Sequence, residues 1–277
     1  MKVKLLALDL DETTLNRNGE LTDITRQALE QVIAKGIILV AASGRSLIAL
    51  PEEIRKFSGI RYGVVSNGAA VFEMGTEKCL QQLHICAKAL EAVLSLWQQE
   101  PEVILEVGID GQMYAPADYV ANPAAFRRSD YVVEYVQRTR KPVSDMHRFF
   151  RTHIQEIESV DLICADITLR DRIAEKVRQI VPEVYVTSSV PQMVEIANKN
   201  AGKANGLRFL AQQEAIQPAE IMACGNADND SEMLQFAGLG VAVANATPRC
   251  LAAADVVTAA HDADGVAKAI FQYIINA

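Results

Sequence analysis

Apolar positions along this chain follow two different rhythms. Short, nearly continuous apolar runs recur toward both ends, at residues 3–10, 37–42, 221–224, 241–244 and 256–259. Runs this long with so little polar interruption predict strands covered on both faces. The helical stretches between them predict a parallel, doubly wound sheet. Behind the first run, Thr22 can cap a helix whose Ile24, Ala28 and Val32 recur at four-residue spacing, and Gly36 ends it. A last helix, after Asp264-Gly265, carries Val266, Ile270, Tyr273 and Ile274 on one side.

The middle of the chain changes rhythm. Residues 103–108 and 112–115 flank Asp110-Gly111, a turn-forming pair, and predict a hairpin. Residues 161–165 and 184–187 bracket a helix containing Ile173, Val177 and Ile180. Hairpin and helices together predict an antiparallel α+β layer inserted into the first domain. The expected division is a core of residues 1–83 and 189–277, with the insert at 84–188. The fold class is therefore α/β.

Composition narrows the setting. Half of the 277 residues are apolar and 22% are charged, as in packed globular proteins. A net charge of −8 speaks against nucleic acid as the main partner. The densest basic stretches, Arg127-Arg128 and Arg138-Thr139-Arg140-Lys141, read as solvated surface. The five cysteines show no metal-type spacing, and Cys164 and Cys224 lie in apolar runs that read as core. With no signal-peptide pattern and no membrane-length apolar run, the expected home is a reducing cytoplasm away from membranes. Oligomeric state has no signature in the sequence.

Candidate chemistry collects where the predicted strands end. Asp9-Leu10-Asp11-Glu12-Thr13 directly follows the first run. Ligands in open parallel sheets bind beyond the carboxyl ends of the strands. Two carboxylates at this spacing suit a hard cation and a nucleophile beside an acid/base, though an ordinary loop reads the same way. Ser43-Gly44-Arg45 follows the second run, where a hydroxyl and adjacent N–H groups can hold phosphate oxygens. Lys203 begins a helix, where a cation opposes the helix dipole, so either it neutralises an anion there or it is simply exposed. Gly225-Asn226-Ala227-Asp228-Asn229-Asp230 crowds oxygen donors at another strand end, as a cation site or as a helix-capping turn.

These motifs, with Ser66-Asn67-Gly68-Ala69 and the tail around Gly240 to Ala246, resemble the haloacid dehalogenase superfamily and within it the Cof-like phosphatases. The resemblance implies a Rossmann-like core with an α/β cap that chooses the substrate. It implies a magnesium-dependent phosphatase acting on a small phosphorylated metabolite such as a sugar phosphate. Asp9 would be the nucleophile and a magnesium ligand. Asp11 would be the acid/base, with its main-chain carbonyl on the metal. Ser43 and Lys203 would bind the phosphoryl group, with Gly44 and Arg45 beside them. Asn67, Gly68 and Asn229 would border the substrate, and Asn226 and Asp230 would complete the metal side.

Two positions depart from the family pattern. Asn226 stands where an aspartate is usual, which removes one negative charge, and Asp228 or Asp230 could compensate. Glu12 stands where a small glycine is usual. Asn226 keeps open a catalytically impaired sensor of phosphorylated ligands, and a phosphomutase would share the same aspartyl-phosphate chemistry. His147, Arg148 and His153 in the insert could face a ligand or simply the solvent.

Overall fold

The computed structural model describes residues 2–126 and 130–276, so Arg127-Arg128 lies outside the described residues. In chain order the strands are β1 (Leu5–Leu8), β2 (Ile38–Ala42), β3 (Ile60–Val65), β4 (Ala70–Glu73) and β5 (Lys78–Gln82). They continue with β6 (Ile104–Ile109), β7 (Gln112–Pro116), β8 (Arg140–Val143), β9 (Ser159–Ile163), β10 (Val184–Thr187) and β11 (Met193–Asn198). The last are β12 (Ile221–Gly225), β13 (Leu239–Ala242) and β14 (Val256–Val257). The chain divides into two compact units, one of Met1–Gly44, Leu50–Gln81 and Gly202–Ala277, the other of Arg45–Ala49 and Gln82–Ala201.

The first unit is built on a sheet in the order β14-β13-β12-β1-β2-β3-β4-β5. Pairing from β14 across to β3 is parallel, and β4 turns back antiparallel on β3. Every residue of β1 is buried because both faces are covered. Leu5 and Ala7 pack against Leu207 and Leu210 of the helix Lys203–Gln213. Leu6 and Leu8 alternate to the opposite face and are equally hidden. The helix Asp23–Ala34 is capped by the Thr22 hydroxyl, which accepts from Thr25 N. Its buried stripe is Thr25, Ala28, Leu29 and Val32, so the expected Ile24 faces outward at 49% exposure.

Order reversal places the site. From β1 the chain builds outward through β2 and β3 on one side, and later through β12, β13 and β14 on the other. The crevice at such a switch point, beyond the strand carboxyl ends, is where α/β sheets bind ligands. Asp9 follows β1, Ser43 follows β2, Ser66 follows β3, and Gly225 ends β12.

The second unit carries a sheet in the order β10-β11-β9-β6-β7-β8, antiparallel except for the parallel β7–β8 pair. The hairpin β6–β7 turns on Asp110 (φ 49°) and Gly111 (φ 71°), the paired left-handed geometry of a two-residue primed turn. Leu105, Val107, Val160 and Leu162 share one face with the helices Ala87–Gln98 and Ile167–Ile180.

The insert is longer than residues 84–188. β11 pairs residue for residue with both β9 and β10, so the second unit runs to Ala201. Arg45–Ala49 also groups with it. Arg140 corrects another expectation: its side chain is only 7% exposed and pairs with Glu106, so that stretch is not wholly solvated surface. His147 and His153 are both half-buried, the first accepting from Arg151 and the second paired with Glu156.

Candidate active site

At the switch point a cation and two carboxylates form a buried triad. Lys203 is the first residue of its helix, 1% exposed, and its Nζ lies 2.6 Å from both Asp9 Oδ1 and Asp230 Oδ1. Two buried anions explain why a lysine is tolerated at a helix start, where the dipole disfavours it. Burial alone would make Lys203 give up its proton, yet Asp230 and Asp9 hold its ammonium above the usual lysine range.

Asp9 is 5% exposed, and burial followed by the nearby Asp230 charge raises its carboxyl to about 7, while Lys203 pulls it down. Its Oδ2 is buried and has no hydrogen-bond partner. The Thr13 hydroxyl is also buried and unpaired, close enough to favour the Asp9 anion without a well-formed hydrogen bond to it. Such an orphaned carboxylate oxygen, at a strand end that binds ligands, is a group awaiting a partner.

Asp230 is differently occupied. It is 0% exposed, its Oδ1 takes Lys203, and its Oδ2 accepts from Asn226 N and Ala227 N at 2.9 Å each. A Cβ on Gly225 would lie 2.5 Å from Asp230 Cβ, so only glycine lets the carboxylate fold back this way. Asp230 therefore fixes the turn and the lysine. Asp228 Oδ1 accepts from the Thr247 hydroxyl at 2.7 Å. The side-chain amide of half-buried Asn226 makes no hydrogen bond among the described residues.

A second buried pair joins the loop after β3 to the turn after β12. Asn229 Nδ2 donates to Asn67 Oδ1 at 2.9 Å, and Asn67 N donates to Ser43 O at 3.1 Å. Ser66, Asn67 and Gly68 all have positive φ. Gly68 is required by close approach, since a Cβ there would come within 2.2 Å of Gly202 O. Its role is to seat the start of the Lys203 helix against this loop, reinforced by Gly202 N donating to Asn67 O. Ser43 is buried at 1% exposure and Asp11 is half-buried in the turn Leu10–Thr14. Glu12 is exposed with φ 56°, the left-handed region that glycine adopts without strain.

Arg45 falls in the second unit, where its guanidinium stacks 4.6 Å from the Tyr135 ring centroid and its Nη1 donates to Ala49 O. Sequence reasoning gave Thr13 no role, although its place in the first motif was the available signal.

The donor set fits a magnesium ion. Among the described residues no three His, Cys, Asp or Glu side chains cluster as metal ligands. Magnesium nevertheless takes few protein carboxylates and keeps several waters. The Asp9 carboxylate, the Asp11 carbonyl and the Asn226 side-chain carbonyl supply that kind of sparse oxygen set.

Comparison with known proteins identifies the family. The profile of haloacid dehalogenase-like hydrolases matches residues 6–270. YxeH of Bacillus subtilis is 29% identical, with 98% of each chain covered. The 5-amino-6-(5-phospho-D-ribitylamino)uracil phosphatase YcsE of the same organism is 25% identical, covering 99% of this chain and 96% of its own. A solved haloacid dehalogenase-like hydrolase from B. subtilis superposes with a TM-score of 0.83 at 25% identity, over 98% of this chain and all of that one (100%). The chain belongs to the haloacid dehalogenase-like hydrolases and, within them, to the Cof-like phosphatases.

Proposed function

We propose that this phosphatase cleaves a small phosphomonoester by direct attack of Asp9 on phosphorus. One observation carries the reading: a buried carboxylate with one oxygen clamped by a lysine and the other unpartnered at the sheet's switch point. Asp9 Oδ2 forms the new P–O bond while the bond from phosphorus to the leaving alcohol breaks. Asp11 gives that alcohol oxygen its proton. The Asp11 carboxylate then takes a proton from water, whose oxygen attacks the aspartyl phosphate, releasing orthophosphate and restoring Asp9. Lys203 and the Ser43 hydroxyl hold phosphoryl oxygens throughout, and Asn67 with Asn229 keeps the neighbouring loop in place.

Magnesium, held by Asp9, the Asp11 carbonyl and Asn226, would neutralise charge on the transferring group. We assign Asp230 to holding Lys203, and not to the metal, because both of its oxygens are committed. Substrate selection we assign to the inserted unit, and the setting to the cytoplasm. Among the described residues no helix is long and apolar enough to cross a membrane.

Asn226 supports a second reading, an impaired member that senses phosphorylated ligands. Orthophosphate release from p-nitrophenyl phosphate with magnesium separates the two. Turnover lost in Asp9→Asn, with an unchanged circular dichroism spectrum, is the expected result. Residual activity above a few per cent in Asp9→Asn would sink the nucleophile assignment.

A further inference from the structure

Across the middle of the inserted sheet three acidic residues stand side by side. Glu195 on β11 lies opposite Asp161 on β9, and Asp161 lies opposite Glu106 on β6. Paired strands run about 4.8 Å apart, and like charges directly opposite each other are destabilising. All three alternate with Leu105, Val107, Val160, Leu162, Val194 and Ile196, so they share the opposite face, beside Ile104, Ile163 and Met193 of a smaller apolar cluster. Glu106 is 0% exposed and Glu195 4%, while Asp161 is half-buried.

Compensation from the protein is incomplete. Arg140 Nε and Nη2 both bond Glu106 Oε2, at 3.0 and 2.7 Å. Glu195 Oε2 accepts from Ser189 N. Glu106 Oε1 is buried without a hydrogen-bond partner, and the Asp161 carboxylate makes no hydrogen bond among the described residues. Burial first, then Glu195 and Glu106, hold the Asp161 carboxyl well above its usual range, with Arg140 pulling the other way. Beside the row, the Tyr135 ring is stacked by Arg45 and by Arg140, each 4.6 Å from its centroid. A row used only for packing gains nothing from these charges, since apolar residues of similar volume commonly stabilise such positions.

We propose that this acidic row binds an ammonium group of a small molecule, with N–H donors reaching Glu106 Oε1 and Asp161. A primary ammonium offers three donors and one positive charge, matching an unpaired oxygen and an uncompensated carboxyl. A neutral polyol offers the donors without the charge and leaves the repulsion in place. The ammonium can be carried by the phosphomonoester itself, which rests on the phosphatase reading, or by a free amine that regulates the protein.

Matched pairs test both sources on the full-length protein with magnesium. Phosphoethanolamine is compared with ethylene glycol monophosphate, and glucosamine 6-phosphate with glucose 6-phosphate, by kcat/KM. Ethanolamine and glucosamine binding is measured separately by calorimetry. A substrate amine predicts at least a tenfold preference for an ammonium member, lost in Asp161→Asn with p-nitrophenyl phosphate turnover unchanged. A free effector predicts equal kcat/KM within pairs, with amine binding to the parent and not to Asp161→Asn. That variant removes a repulsion, so it should melt at or above the parent temperature. If p-nitrophenyl phosphate is not hydrolysed at all, the phosphatase reading fails and calorimetry alone decides the amine site. No discrimination and no amine binding at millimolar concentration overturns the proposal. So does a preference that survives both Asp161→Asn and Glu195→Gln.

Discussion

Replacing Lys203 by Met should convert a balanced buried triad into two stranded carboxylates. Both ion pairs to Nζ are 2.6 Å long, and Asp9, Lys203 and Asp230 are at most 5% exposed. Removing one partner of a buried pair typically costs about 3–5 kcal/mol, because the remaining charge stays uncompensated. Asp230 keeps its two backbone N–H donors, so Asp9 is the group that must adjust. It adjusts by holding a proton. In the parent its carboxyl already sits at about 7, through burial and Asp230, with Lys203 as the main group lowering it. Without Lys203 that carboxyl rises further.

The sign of the pH effect follows. A carboxyl whose folded-state pKa is raised favours folding when protonated, so its contribution is complete below the unfolded value of about 3.9 and is lost as pH rises through the folded value. Lys203→Met should therefore lose more stability relative to the parent at pH 9 than at pH 6. With the ionised Asp9 as the proposed nucleophile, residual orthophosphate release should climb about tenfold per pH unit where the parent has levelled off. Adding Asp9→Asn removes one stranded charge, so the double variant should be less destabilised than the sum of the singles by about 1–3 kcal/mol. Urea unfolding of the four proteins at both pH values measures the coupling. Additive losses, or a Lys203→Met deficit that does not change with pH, would refute the triad as an electrostatic unit.

Asn226→Asp should lower the magnesium concentration for half-maximal activity about tenfold, the equivalent of about 1.4 kcal/mol of restored attraction, because it adds one negative charge to the sparse oxygen set. A magnesium titration without a leftward shift would place the missing charge elsewhere. Asp11→Asn should slow hydrolysis of alkyl phosphates far more than of p-nitrophenyl phosphate, whose leaving group needs little protonation. Equal losses on the two substrates would count against the acid role. Glu12→Gly should stabilise the fold by about 0.5 kcal/mol, because relief at φ 56° exceeds the entropy that glycine adds to the unfolded chain. A calorimetric melt about 1–2 °C higher, with activity kept within twofold, is the readout.

The core was legible because its chemistry and its topology share one cause. A strand buried on both faces has to be continuously apolar, so the runs at residues 3–10, 37–42 and 221–224 announced β1, β2 and β12. Polar residues directly after such runs fall at strand carboxyl ends, which is how Asp9, Ser43 and Asp230 could be placed at one edge of the sheet from the sequence. Lys203 was legible for a different reason: its charge is wrong for a helix start unless an anion lies close. What spacing could not supply was the division of labour. Asp228 and Asp230 look interchangeable in sequence, and only the backbone turn through Ala227 and Gly225 sends one to Thr247 and the other to Lys203.

The insert was harder because a one-faced sheet hides its second face. Polar residues alternating with apolar ones ordinarily mean solvent, and by that rule Glu106, Asp161 and Glu195 read as outward positions. They are instead crowded among Arg140 and one another on a largely hidden face. The end of the insert was missed by the same rule, since β11 carries Glu195 within Met193–Asn198 and its pairing with β9 depends on a partner some thirty residues earlier, Ile163 opposite Met193. Local pattern reports what a segment can bury and not which segment it meets. In this protein the first kind of information placed the candidate site, while the second decides which carboxylates crowd round Arg140. Those carboxylates are where the choice of substrate should be sought.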